Sequence, residues 1–238
     1  MAFIDSPTEQ TTAITDLILA ALSLGSALYL RRYRIGDPWK ASLWAWAFAL
    51  LSVASGLGAA AHGITLSLAA IRLLWQPINI ALGLAIALFV VGAVYDLWGR
   101  RVARRLLPLM IGAGLAFFAV NQIVTGTFLV FLIYEAVAML VALIIYIRIA
   151  RSYSLPGAAF MVAGVLITVV AATFQNNHAI DLVVIWKFDH NGVFHLIQMI
   201  GVLALVAGLR APLLAQLERR CGQSANETAA LASRLPTT

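Results

Sequence analysis

Long apolar runs broken by short polar stretches set the pattern of this chain. Seven such runs stand out, near 11–31, 39–62, 69–96, 103–122, 127–149, 154–175 and 192–210. Each approaches the roughly 20 residues that a helix needs to cross a bilayer core about 30 Å thick. The connections are too short for a soluble domain, so the pattern predicts an all-α, polytopic seven-transmembrane-helix bundle over residues 1–210. A polar tail over 211–238 follows it.

Composition supports lipid as the main solvent. Of 238 residues, 62% are hydrophobic and only 11% charged, and the mean hydropathy is +0.94. A soluble domain cannot bury that much apolar surface. The segment before the first run carries Asp5 and Glu9 and no basic residue, which does not resemble a cleaved signal peptide. The lone Cys221 forms no internal disulfide.

Charge then orients the bundle. Fourteen of the sixteen basic residues fall on alternating connections and the tail: Arg31, Arg32, Arg34 and Lys40; Arg100, Arg101, Arg104 and Arg105; Arg148 and Arg151; Arg210, Arg219, Arg220 and Arg234. Only Arg72 and Lys187 lie near the opposite side. The positive-inside rule places the N-terminus outside and the C-terminus in the cytoplasm. The net charge of +6 therefore reports topology and contact with anionic lipid headgroups, and nucleic acid is not an expected partner.

On this topology the polar residues gather in the outer half. His62 ends the second run, Arg72, Gln76 and Asn79 open the third, and Asn121 and Gln122 close the fourth. Glu135 lies within the fifth, and His178, Asp181, Asp189, His190, Asn191 and His195 surround the start of the seventh. Polar groups in a bilayer usually face a protein interior or a wet cavity, so these residues predict a pocket open to the extracytoplasmic side. The amides of Gln76, Asn79, Asn121 and Gln122 are expected to satisfy one another across helices. The opposite half offers Tyr95 and Asp96 and little else.

All four histidines fall in that outer half, and three imidazoles plus a water make a common catalytic zinc set. His62, His190 and His195 are the candidate ligands. Residues five apart on a regular helix point about 140° apart, so His190 must belong to the first turn or its cap. There Asp189 or Asn191 can cap the helix, and Asn191 is a candidate to orient a ligand imidazole. His178 is expected to face water. Each histidine taken singly reads better as a helix-end residue bonded to backbone and solvent, and the metal reading rests on the three together.

The stretches SGLGAAAHG (55–63) and DHNGVFHLIQMIG (189–201) resemble the CREST superfamily, which includes the alkaline ceramidases and the adiponectin and progestin receptors. They are closer still to uncharacterised bacterial seven-helix members with an HN-x-x-x-H motif. In that superfamily a serine stands four residues before the second-helix histidine. Position 58 is glycine here, and Ser55 stands two turns before His62. The spacing of His190 and His195 is also one residue wider than the superfamily's pair.

The resemblance implies a zinc-dependent intramembrane hydrolase in the bacterial inner (plasma) membrane. It would act on a lipid or other amide or ester substrate from the extracytoplasmic leaflet. Glu135, Asp189 and Ser55 are then the candidate catalytic groups. A non-enzymatic seven-helix receptor, sensor or small transporter would use the same pocket for binding alone. Non-covalent haem between His62 and His195 is a further alternative, and a retinal protein is not, because Lys187 precedes the last helix.

Overall fold

The computed structural model describes residues 2–124, 129–152, 155–177, 179, 181–183 and 185–232. It contains α1 (Pro7–Arg31), α2 (Pro38–Gly63), α3 (Leu68–Ile123), α4 (Leu129–Ser152), α5 (Ala158–Gln175) and α6 (His190–Ala232). A short hairpin of β1 (Asp181–Val183) and β2 (Lys187–Asp189) precedes α6. Among the described residues six helices are long and apolar enough to cross a membrane, so the chain is built as a mainly helical membrane protein. On α4, Ile133, Val137, Leu140 and Ile144 are exposed at helical spacing, an outward stripe suited to lipid.

Local chemistry sets the helix starts. Ser6 accepts from the Glu9 amide with Pro7 at the first helical position, and Asp37 accepts from the Lys40 amide with Pro38 following. Both are N-caps with proline where its missing N–H costs nothing. Ser67 caps α3 in the same way, through the Ala70 amide.

The third and fourth apolar runs form one helical element, α3, interrupted at Gly99. Gly99 has φ 79° and ψ 177°, a region open almost only to glycine. A Cβ on Gly83 would lie 2.8 Å from the Gly114 carbonyl oxygen, and one on Gly114 would meet Gly83 at the same distance. Residues 16 before and 15 after the break therefore touch, and the chain doubles back there. Gly83 and Gly114 allow the two halves to approach backbone to backbone.

Each helix packs on the next in sequence, and α1 also packs on α6. The bundle is thus a closed ring around a central space, in which α4 stands across from α1. Trp44 of α2 is fully buried, edge-on to Phe89 with ring centroids 5.1 Å apart, and Gly92 leaves room for its indole.

At the end rich in arginine the structure differs from the sparse polar content expected. Lys40 forms an ion pair with Asp96, each side chain 1% exposed. Tyr146 donates to the other Asp96 oxygen at 3.1 Å, and Tyr95 donates to Asp37. Lys40 is thus a buried internal partner and not a headgroup contact. The expected cross-helix amide pairing is also replaced. Gln76, Asn79 and Gln122 each donate to a carbonyl one turn back on their own helix, those of Arg72, Trp75 and Phe118.

Candidate functional site

A cavity of about 360 Å³ occupies the centre of the ring. His62, His190 and Asn191 line one end, and Trp44, Phe89 and Leu205 line it farther down. From His190 to Leu205 along α6 is on the order of 22 Å at 1.5 Å per residue. The walls are mainly apolar, with polar groups concentrated toward the histidine end.

His195 is the best-fixed of these groups. Its side chain is 8% exposed, and Nε2 lies 3.3 Å from Oδ1 of Asp16 on α1. Its Nδ1 lies 3.1 Å from the Thr15 hydroxyl. One turn of α1 thus holds both ring nitrogens. Thr15 is itself tied down, donating toward the carbonyls of Thr11 and Thr12.

Asp16 reaches this point because α2 has no side chain in the way. A Cβ at Gly58 would lie 2.7 Å from Asp16 Oδ2. Gly58 is one turn before His62, on the same face, so the carboxylate sits against the part of α2 that leads to His62. Ser55, buried on that face, also lines the cavity. The space beside Gly58 is filled by the Asp16 carboxylate from α1.

His62 is half-buried, with Nδ1 2.7 Å from Glu9 Oε2 and its ring edge-on to Trp75. His190 is the first residue of α6. Asp189 supplies the cap: its Oδ1 accepts from the Gly192 amide and from the Thr12 hydroxyl, both at 2.8 Å. That oxygen therefore starts α6 and ties it to α1. Gly192 permits the close approach, with Phe188 3.1 Å from where its Cβ would be.

Glu135 enters from α4, on the far wall from Asp16. It is 9% exposed, lines the cavity, and its Oε2 has no hydrogen-bond partner. Gln198 donates to Thr168 at 3.3 Å while its own Oε1 is unpartnered. Among the described residues neither acceptor has a partner to compensate its desolvation.

The structure thus brings His62, His190, His195, Asn191, Ser55 and Glu135 to one cavity and assigns Asp189 to the helix start. His178 lies outside the described residues. Asp16, Thr15, Glu9 and Gln198 were not singled out in the sequence. An acid four residues after Thr12, inside an apolar run, was the available signal, since such residues in a membrane span usually serve a site.

The donor chemistry is compatible with a zinc ion. Two donors about 2.1 Å from one tetrahedral ion stand roughly 3.4 Å apart, close to the 3.3 Å between His195 Nε2 and Asp16 Oδ1. The Nδ1 atoms of both His62 and His195 are held by oxygen-bearing partners, as outer partners hold metal-ligating imidazoles. Among the described residues no group of three or more His, Cys, Asp or Glu is drawn close enough to hold a metal ion.

No curated protein and no solved structure matches this chain. A family profile does match it, over residues 11–213, and so covers all six helices in whole or in part. The chain belongs to that family, a family of unknown function designated DUF6962.

Proposed function

We propose that the protein is an intramembrane zinc-dependent hydrolase, related to the CREST superfamily, that cleaves an amide or ester of a lipid-like substrate. The observation that carries this reading is the 3.3 Å contact of His195 with Asp16 at the polar end of a deep apolar cavity. An apolar cavity with a few convergent polar groups is the usual form of a small-molecule site.

On this reading α3 counts as two spans and the chain crosses the membrane seven times. A straight 56-residue helix would be roughly 84 Å long, nearly three times the hydrocarbon thickness. The distribution of arginines supports an outer N-terminus and a cytoplasmic C-terminus. The cavity then opens toward the extracytoplasmic leaflet of a bacterial inner membrane.

His62 and His195, with His190 or Asp16 completing the set, would hold the zinc. Zinc supplies Lewis acidity toward the substrate carbonyl and toward water. Glu9 and Thr15 hold the two imidazoles in register through Nδ1. Where His190 completes the set, Asp16 would take up the proton released as water adds and return it to the leaving group. Ser55 and Asn191 orient the substrate, and the apolar walls take its chain while excluding bulk water.

Hydrolysis of a fluorogenic long-chain amide and the matching ester by protein in nanodiscs tests the proposal. Turnover by the unmodified protein, with a fall of about a hundredfold or more in His195→Ala, is the expected result. Equal rates from the two proteins would overturn it.

A further inference from the structure

Every acidic and basic group on the cavity wall bears on what the cavity accepts. Asp16 and Glu135 line it, and no lysine or arginine does. The nearest buried lysine is committed elsewhere: Lys40 pairs with Asp96. The cavity therefore carries acidic groups without a permanent cation to match them. A carboxylate or phosphate on a ligand would meet like charge here with no arginine or lysine to receive it.

Among the described residues several buried acceptors are left open, and two of those on the cavity lining come from α4 and α6. Glu135 Oε2 on α4 and Gln198 Oε1 on α6 have no partner, and their residues are 9% and 7% exposed. Gln198 Nε2 goes to Thr168 Oγ1, and that hydroxyl goes to the Gly164 carbonyl. A buried acceptor without a partner costs free energy that a donor on the ligand can recover.

Glu135 also stands on a different helix from the groups that handle His195. Asp16 and Thr15 come from α1, and α4 packs on α3 and α5 across the ring. The cavity so has acidic groups on facing walls, Asp16 in contact with His195 on one and Glu135 on the other.

We infer that Glu135 is a binding residue for a protonated amine, so that the cavity's ligand is an amphiphile bearing an ammonium group. An ammonium has three donors and no acceptor, which suits the open acceptors Glu135 Oε2 and Gln198 Oε1. Its positive charge answers the acidic balance of the cavity, and its alkyl chain suits the apolar walls around Phe48, Phe89, Met139 and Leu205. A charge-assisted hydrogen bond in such a low-dielectric site is stronger than a neutral one. The inference rests on the cavity being the ligand site of the proposed hydrolase, but it does not require hydrolysis.

Titration calorimetry on the full chain in nanodiscs separates the two. The probes are octylammonium, octanol and octanoate, alike in chain and different in head group. Octylammonium is expected to bind at least about tenfold more tightly than the other two. Glu135→Gln should erase that preference while leaving octanol binding in place, and His195→Ala should preserve it. Binding of all three probes with equal affinity by the unmodified protein would overturn the inference, and that comparison needs no substitution. An undiminished preference in Glu135→Gln would overturn it as well. Loss of hydrolysis in His195→Ala with the preference retained is expected if both readings hold. A preference for octylammonium in a protein without any hydrolytic turnover would refute the hydrolase while sparing the amine site.

Discussion

Asp16 Oδ1 and His195 Nε2 lie 3.3 Å apart with both side chains buried, joining the first helix to the last. Thr15, one residue before Asp16, holds the other nitrogen of the same ring at 3.1 Å. Imidazole orientation is therefore set by two consecutive residues of α1. Thr15→Val keeps the shape and removes the hydroxyl. It should lower zinc affinity or turnover by about 10- to 100-fold, the usual effect of losing an outer partner. Metal titration monitored by calorimetry, alongside the hydrolysis assay, checks this, and the fold should be unaffected.

Gly58 makes that contact sterically possible. The methyl group of Gly58→Ala would fall 2.7 Å from Asp16 Oδ2, so the carboxylate must move. Overpacking of this kind costs about 1–3 kcal/mol. The expected outcome is a lower midpoint of thermal unfolding together with a loss of turnover. An unchanged turnover would show that Asp16 does not act through its present position.

At the other end of the bundle Lys40 and Asp96 are almost fully enclosed. Lys40→Met leaves Asp96 buried with only Tyr146 as a partner, and breaking such a pair costs about 3–5 kcal/mol. The double substitution Lys40→Met with Asp96→Leu should recover most of the loss. Thermal unfolding of the three proteins in one detergent gives the comparison, and turnover should follow stability alone.

Much of this architecture was readable from apolar run length, because a bilayer needs a fixed number of apolar residues per crossing. The join between the third and fourth runs was less plain. Arg100 to Arg105 reads as a polar loop, yet those residues are helical and the only interruption is the backbone of Gly99. The cavity histidines were legible because charged and polar residues are rare in such runs. Asp16 was not, since it adjoins an acidic N-terminal segment and reads as its continuation. Lys40 was misread for a similar reason: a lysine near a cluster of arginines looks like loop charge, and only packing brings Asp96 onto it. Asp189 reads both as a candidate cap and as a candidate catalytic group, and in the structure its Oδ1 caps α6.

The reversal at Gly99 gives a topological prediction. Single cysteines at position 101 and at position 121 should label from opposite faces of the membrane, with 101 cytoplasmic. A cysteine at position 177 should react from outside, and a reporter fused after Thr238 should read cytoplasmic. Labelling of 101 and 121 from the same face would remove the seventh crossing.

The most direct test of the proposed zinc site is elemental analysis of the purified protein, with His195→Ala and Asp16→Asn beside it. The account predicts about one zinc per chain in the unmodified protein, the stoichiometry of a single catalytic site. It predicts loss of that zinc in His195→Ala and a reduced content in Asp16→Asn. Protein purified without chelator and given zinc that still binds none, or that holds the same amount in all three forms, would contradict it.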